Sequence, residues 1–151
     1  MAGILCGCHS LPDDDTLTRN FLLHRATFDR LLSLAAEDFQ YNRISAGTVP
    51  PIGMTAQRFK RYSELFRDLH IENGITRYAA FPRAVFVIAD SEIPIGGKGQ
   101  SDGYVYSPAP LAPLVARLPP DPLIEVRRGH GHSGGFRHLE GGWYLFGDSD
   151  W

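Results

Sequence analysis

The spacing of apolar residues changes near position 74 of this chain. Before that point, the spacing of apolar residues is three, four or seven positions, as in a helix that buries one face; these residues are Phe21, Phe28, Leu32, Ala35 and Phe39. After it, short β-branched and aromatic runs separated by Gly and Pro indicate strands. Because the helical patterns come first and the strand patterns follow without alternation, the sequence predicts an α+β fold.

Two N-terminal helices are predicted. The first runs from about Thr16 to Phe39 and follows the acidic residues 13–15, which suit the positive end of a helix dipole. The second begins after Thr55, a suitable N-cap, and ends at the ENG sequence of residues 72–74, since Gly and Asn tolerate a left-handed turn. Residues 44–54 contain two Gly and two adjacent Pro, which favours an extended connector.

The second half predicts an antiparallel sheet of about five or six strands, with the two helices packed on one of its faces. The candidate strands are ITRYAAF, AVFVIAD, DGYVYSP, LIEVR, FRHLE and WYLFGD. The GG pair at residues 141–142 suits a two-residue hairpin turn, which would pair Glu140 with Trp143 and His138 with Leu145.

Length and charge limit the classes of protein that this chain can represent. We predict a flexible tether at residues 1–15 and a single α+β domain at residues 16–151, because 151 residues can bury one core without disulfides. With 15 Lys and Arg against 17 Asp and Glu and no basic cluster, the chain lacks the electrostatic pattern of a nucleic-acid-binding protein. No apolar run has the length of a membrane span.

A histidine cluster near the C-terminus suggests a metal site. The sequence GHGHSGG contains His130 and His132, and His138 follows shortly. Imidazoles at this spacing could bind zinc, which would support metal storage or hydrolysis by a metal-activated water. There is no nearby Cys and no HExxH sequence, and a fourth ligand such as Asp148 would have to join. A solvated loop is the other interpretation.

Familiar catalytic motifs are missing from the sequence. The GGKGQS stretch around Lys98 lacks both the early Gly and the Ser or Thr after Lys that a phosphate-binding loop needs. No GxSxG sequence places a nucleophilic Ser on a strained turn. We therefore predict no catalytic residue.

The aromatic strands and Gly-rich loops are the candidate surface for a protein partner. An alternating strand cannot bury every aromatic on one side, which favours an exposed aromatic patch. Binding sites also concentrate on loops held by a rigid scaffold. The candidate contact residues are Lys98, Gln100, Tyr104, Tyr106, His132 and Trp143.

Three stretches of the second half carry a resemblance to a known group of proteins. FPRAVFVIAD, DGYVYSPAPLAPLV and FRHLEGGWYLFGDSDW together resemble small, largely uncharacterised lipoproteins of Gram-negative bacteria. Those proteins have two N-terminal helices, a GYVYS strand and a closing strand of the NWYLYY type. The resemblance extends from about Phe28 to the C-terminus and involves structural rather than catalytic motifs.

The resemblance implies a role for the N-terminal cysteines, which are too close in sequence to pair without strain. Leu5, Cys6, Gly7 and Cys8 have the order of a lipobox, in which Cys8 would carry the lipid. Only MAGI precedes this box, whereas an export signal needs a basic region and a longer apolar region. The expected location is therefore the periplasm, tethered by lipid to the outer membrane, if the precursor has an upstream signal, and otherwise the cytoplasm.

The resemblance also implies a function. It favours a non-catalytic, periplasmic binding protein, such as an immunity protein that inhibits a secreted antibacterial toxin. The alternative is a metal-binding protein or metal-dependent hydrolase that uses the histidine cluster. A cytoplasmic structural or regulatory domain with reduced, inert cysteines is the third interpretation.

Overall fold

The computed structural model of the chain describes residues 12–92, 100–115 and 135–148. These residues include three helices, α1 (Asp14–Leu23), α2 (Arg25–Glu37) and α3 (Ala56–Asp68). They also include six strands, β1 (Arg43–Ile44), β2 (Gly74–Thr76), β3 (Val85–Glu92), β4 (Gln100–Tyr106), β5 (Gly135–Glu140) and β6 (Trp143–Asp148).

The strands form one antiparallel sheet in the order β1-β2-β3-β4-β6-β5. The predicted α+β fold, with helices in the N-terminal part and an antiparallel sheet, is confirmed. The short edge strand β1 was not predicted, and it ends at the first residue of the predicted connector, Ile44. The predicted strand LIEVR lies outside the described residues.

The predicted first helix is two helices, which meet at His24. This residue leaves the helical conformation with φ −117° and ψ 22°, although its NH still donates to the Asn20 carbonyl over 3.0 Å. The bend lets Phe21 and Phe28 pack 5.3 Å apart between ring centroids. The predicted end at Phe39 is also wrong, because α2 ends two residues earlier at Glu37.

The third helix begins as predicted but ends early. Thr55 is the N-cap, and its hydroxyl accepts a 3.2 Å hydrogen bond from the Arg58 NH. The left-handed residue after the helix is His70, with φ 55°, and the Ile71 NH closes the turn on the Phe66 carbonyl over 2.8 Å.

Gly74 has a different role from the predicted helix stop. It begins β2 with φ 97°, and a Cβ atom there would lie 2.1 Å from the Ile44 carbonyl oxygen. Only glycine fits this close approach of β2 to β1.

The predicted hairpin is present with a shifted register. Glu140 pairs with Trp143 as expected, but His138 pairs with Tyr144 rather than Leu145. An irregularity between His138 and Glu140 inserts one residue and moves the pairing by one position.

The helices cover one face of the sheet with an aromatic core. Phe21 and Phe28 lie 5.7 and 5.4 Å from the Trp143 ring, and Tyr104 lies 4.5 Å from Phe28. All four side chains are buried. Full burial of each large apolar side chain contributes about 1.5–3 kcal/mol, so this group is a major source of stability.

The opposite face of the sheet is also buried. Its cluster includes Phe86, Tyr144 and Phe146, and Tyr78 and Phe81 pack edge-on against Phe86 at 4.9 and 5.4 Å. In the described strands, aromatic residues are therefore buried on both faces of the sheet, apart from the half-buried Tyr106. The expectation that alternation would leave an aromatic patch exposed is wrong for these positions.

Candidate functional site

Several of the residues predicted to act at a site lie outside the described residues. These are Cys8, Lys98, His130 and His132. Gln100 begins β4, where its backbone pairs with that of Glu92. The roles predicted for Cys8, Lys98, Gln100, His130 and His132 stay predictions.

Two predicted partner-binding residues are in the core, which corrects their assignment to a surface. Tyr104 and Trp143 expose 0% and 1% of their surfaces, because they point toward the helices from β4 and β6. The Tyr104 hydroxyl accepts a hydrogen bond from Asn20 Nδ2 and donates one to the Leu17 carbonyl, each over 3.0 Å. Burial raises the pKa of Tyr104 to about 12. Both residues act as packing residues.

His138 is the one member of the predicted zinc cluster that the structure describes. Its exposed ring packs 5.1 Å from the Tyr144 ring, and Nε2 lies 2.9 Å from the Gly141 carbonyl oxygen. These contacts account for its position on the hairpin. Within residues 12–92, 100–115 and 135–148, no three His, Cys, Asp or Glu side chains are grouped to hold a metal ion. The zinc site stays a prediction, since its other two ligands are not described.

Tyr106 is half-buried and lies in a groove between α2 and the sheet, which we call the α2 groove. The groove has a volume of about 410 Å³. Its apolar wall consists of Leu32, Ala36, Phe39, Val85 and Tyr106. Leu32 and Ala36 are four residues apart, and Phe39 follows three residues later. These three residues therefore form one stripe along α2 and past its C-terminal end.

Phe39 lies at one end of the α2 groove and is largely exposed. The chain turns after Glu37, with the Tyr41 NH donating to the Asp38 carbonyl over 3.1 Å, and this turn leaves 75% of the Phe39 surface in solvent. A large apolar side chain at the edge of an apolar groove is a common feature of binding surfaces.

Two arginines flank the same groove. Arg77 is half-buried and donates to the carbonyls of Tyr41, over 2.7 Å, and Ala35, over 2.5 Å. Burial lowers the pKa of Arg77, although a guanidinium stays charged at physiological pH. Arg83 is exposed and has a left-handed backbone with φ 70°. Neither arginine forms an ion pair with another described residue.

A buried polar cluster holds the end of α2 in place beside this groove. The Asp38 carboxylate accepts hydrogen bonds from Arg58 Nε, over 2.7 Å, and from the Tyr62 hydroxyl, over 2.8 Å. Arg58 also contacts Glu37 and the Leu34 carbonyl. Burial raises the pKa of Tyr62, and the hydrogen bond to Asp38 raises it further. Because these hydrogen bonds join the end of α2 to α3, we call the group of Asp38, Arg58 and Tyr62 the clasp.

Sequence reasoning missed most of the α2 groove. It assigned Leu32 and Phe39 to the buried face of a continuous helix, and it did not single out Arg77 or Arg83. The signal at position 83 was available, because Pro82 and Arg83 lie between two strand patterns where a turn is expected.

The comparisons with known proteins add no family to these observations. The chain matches no protein-family model, and no curated protein or solved structure is significantly similar to it. The resemblance to bacterial lipoproteins rests on the sequence motifs alone. Among the described helices, none combines the length and the apolar character needed to cross a bilayer.

Proposed function

We propose that this protein is a non-catalytic binding protein whose α2 groove receives a segment of a protein partner. The observation that carries the proposal is the exposure of Phe39 beside an apolar groove that two arginines flank. An aromatic anchor next to arginine is the composition that dominates the binding energy of many protein interfaces.

The partner segment would contribute an apolar side chain to the groove. Leu32, Ala36 and Val85 offer a surface of aliphatic carbon, and Phe39 can close over an inserted side chain from one end. Covering Phe39 would remove apolar surface from water at roughly 25 cal/mol per Å², which favours association.

The same segment would carry a carboxylate. Arg77 and Arg83 have no acidic partner within the described part of the chain, and the partial burial of Arg77 weakens its hydration. Asp38 compensates some of this charge through space, while its own hydrogen bonds go to Arg58 and Tyr62. An Asp or Glu of the partner would complete the charge complementarity of the groove.

The backbone at Arg83 supports a role for its guanidinium. A left-handed conformation costs an arginine roughly 1 kcal/mol relative to glycine, which adopts it freely. The chain therefore presents a charged side chain here at the expense of stability, as is frequent at functional sites.

The lipoprotein resemblance suggests the biological setting of the proposal. In that setting the protein is tethered in the periplasm through lipidated Cys8, and the partner is a secreted antibacterial toxin that the protein inhibits. The toxin, the lipid anchor and the location rest on the motifs LCGC, GYVYS and WYLF.

A capture experiment with groove variants tests the binding function. The full chain is immobilised and exposed to extracts of the source organism and to the products of neighbouring genes, and retained proteins are compared between variants. Phe39→Ser and Arg83→Gly should each lose the partner, with at least a tenfold weaker Kd for the purified pair. Arg83→Gly is informative because it removes the charge while suiting the left-handed backbone.

Two variants outside the groove serve as controls. Ile52→Ser removes a fully exposed apolar side chain, and Arg61→Gln removes an exposed arginine from α3. Both should bind like the wild type. A partner whose binding is unaffected by the groove variants, or the absence of any retained protein, would overturn the proposal.

A further inference from the structure

A second concavity lies on the same face of the sheet, away from the α2 groove. It is formed by the first half of α1, the turn after α3 and the end of β3, and we call it the α1 cleft. Its volume of about 310 Å³ lies in the range of small-molecule sites.

The inner wall of the α1 cleft is mainly apolar. Leu17, Ala89 and the ring of Tyr104 are buried there. The opposite wall is fixed to β3 by backbone hydrogen bonds, because the Glu72 NH donates to the Ala89 carbonyl over 2.9 Å and the Asn73 NH to the Ile88 carbonyl over 3.3 Å. A small molecule would therefore meet a largely preformed cleft.

Asn20 supplies an acceptor in this cleft. Its Nδ2 donates to the Leu69 carbonyl over 2.9 Å and to the Tyr104 hydroxyl over 3.0 Å, which uses both amide hydrogens. The amide orientation is thereby fixed, and Oδ1 accepts no hydrogen bond from another described residue. The Tyr104 hydroxyl is already donating to the Leu17 carbonyl, so it offers a ligand no hydrogen.

The mouth of the cleft carries two carboxylates. Glu72 is exposed, and Asp90 is half-buried with its Oδ1 accepting from the Ser91 NH over 2.7 Å. The exposed His70 also lies at the mouth. The Asn20 Oδ1 and the Glu72 carboxylate are both acceptors, and the charge of Glu72 favours a cation.

We propose that the α1 cleft binds a small amphipathic amine. The apolar part of the ligand packs on Leu17, Ala89 and the Tyr104 ring, and its ammonium group donates hydrogen bonds to Asn20 Oδ1 and to the carboxylate of Glu72. An ammonium has three donors and no acceptor, which suits two groups that can only accept. This site is separate from the α2 groove and does not depend on the function proposed for that groove.

The test compares three probes of one length and different charge. Hexylamine, hexanol and hexanoate are titrated into the full chain, and binding is followed by backbone amide NMR shifts. Hexylamine should bind saturably and shift amides of α1 and of the turn after α3. Hexanol and hexanoate should bind at least about tenfold more weakly, because charge-assisted hydrogen bonds account for the difference.

Variants identify the site. Glu72→Gln should weaken hexylamine binding several-fold, and Thr16→Phe should abolish it by filling the mouth from an exposed position on α1. Glu64→Gln and Ala26→Phe make the same changes at exposed positions away from the cleft and should have no effect. Phe39→Ser should also leave hexylamine binding intact. Equal binding of the three probes, or insensitivity to both cleft variants, would overturn the proposal.

Discussion

The Tyr62 hydroxyl donates a 2.8 Å hydrogen bond to Asp38 Oδ2 and so joins the middle of α3 to the residue that ends α2. Arg58 Nε donates to the same oxygen over 2.7 Å. Arg77 bonds the carbonyls of Ala35 and Tyr41, which lie on either side of Asp38 in sequence. The clasp therefore fixes one end of the α2 groove and the guanidinium beside it.

Removing the Tyr62 hydroxyl should destabilise the fold. Tyr62→Phe keeps the ring against Phe66 but takes a hydrogen bond from a buried carboxylate, so we expect the free energy of unfolding to fall by about 1–3 kcal/mol. Urea denaturation measures this change. In the control Tyr106→Phe, the lost hydroxyl bonds no other described residue, and the change should stay below about 0.5 kcal/mol. Equal effects would contradict a stabilising role for the clasp.

The approach of β2 to β1 should make position 74 intolerant of any side chain. Gly74→Ala combines a left-handed φ of 97° with a Cβ atom 2.1 Å from the Ile44 carbonyl oxygen, so it must open the β1–β2 pairing. We expect a loss of more than about 2 kcal/mol, by analogy with other strained or overpacked sites. Gly47→Ala is the matched control, because nothing lies within 4 Å of its Cβ position. A small, equal effect on thermal unfolding in both variants would contradict this reading of Gly74.

The fold class could be predicted from the sequence because it depends on hydrophobic period. Helical spacing before residue 74 and strand patterns after it are local signals, and Thr55 also caps α3 through a local hydrogen bond. The hairpin at residues 141–142 was predicted for the same reason, since a pair of glycines limits the turn type.

The errors come from interactions between distant residues. The break at His24 lets two aromatic rings share contact with Trp143, which lies more than a hundred positions away, and no local signal indicates it. The extra residue between His138 and Glu140 in the hairpin likewise has no signal in the sequence pattern.

The candidate site was harder to predict than the fold. The α2 groove depends on where α2 ends, and a difference of two residues moves Phe39 from a buried helix face to an exposed edge. Tyr104 and Trp143 were misassigned because composition does not show which strand face the helices cover.

The two ion pairs that join the helices to the β5–β6 hairpin should differ in their contribution to stability. Arg137 Nη1 lies 3.2 Å from Oδ2 of Asp14, whose side chain is only 7% exposed. Arg25 bonds Glu140 and Asp29, both of which are about half exposed. Arg137→Gln should cost about 1–3 kcal/mol because it weakens the compensation of a buried charge.

Arg25→Gln is the comparison, and it should cost no more than about 1 kcal/mol because water and salt screen the pair. Unfolding in guanidinium chloride would itself screen these pairs, so urea at two salt concentrations is the suitable measurement. A larger loss of stability for Arg25→Gln than for Arg137→Gln would contradict the prediction that the more buried ion pair contributes more.

Stability should fall at alkaline pH through the buried Tyr104. Burial raises its pKa from 10.0 in the unfolded chain to about 12 in the folded protein. Between these values the folded state retains a proton that the unfolded state loses, so the contribution of Tyr104 to stability is full below pH 10, declines as pH rises toward 12 and stays constant above it. Each unit of pKa difference corresponds to roughly 1.4 kcal/mol.

Tyr104→Phe should therefore reduce the alkaline loss of stability by about 2–3 kcal/mol. The variant also loses the hydrogen bond to the Leu17 carbonyl, so it starts from a lower stability. Urea midpoints measured at intervals from neutral pH to pH 12 give both curves, and Tyr41→Phe controls for the loss of one phenol elsewhere. Parallel curves for wild type and Tyr104→Phe would show that Tyr104 does not titrate differently in the folded and unfolded states.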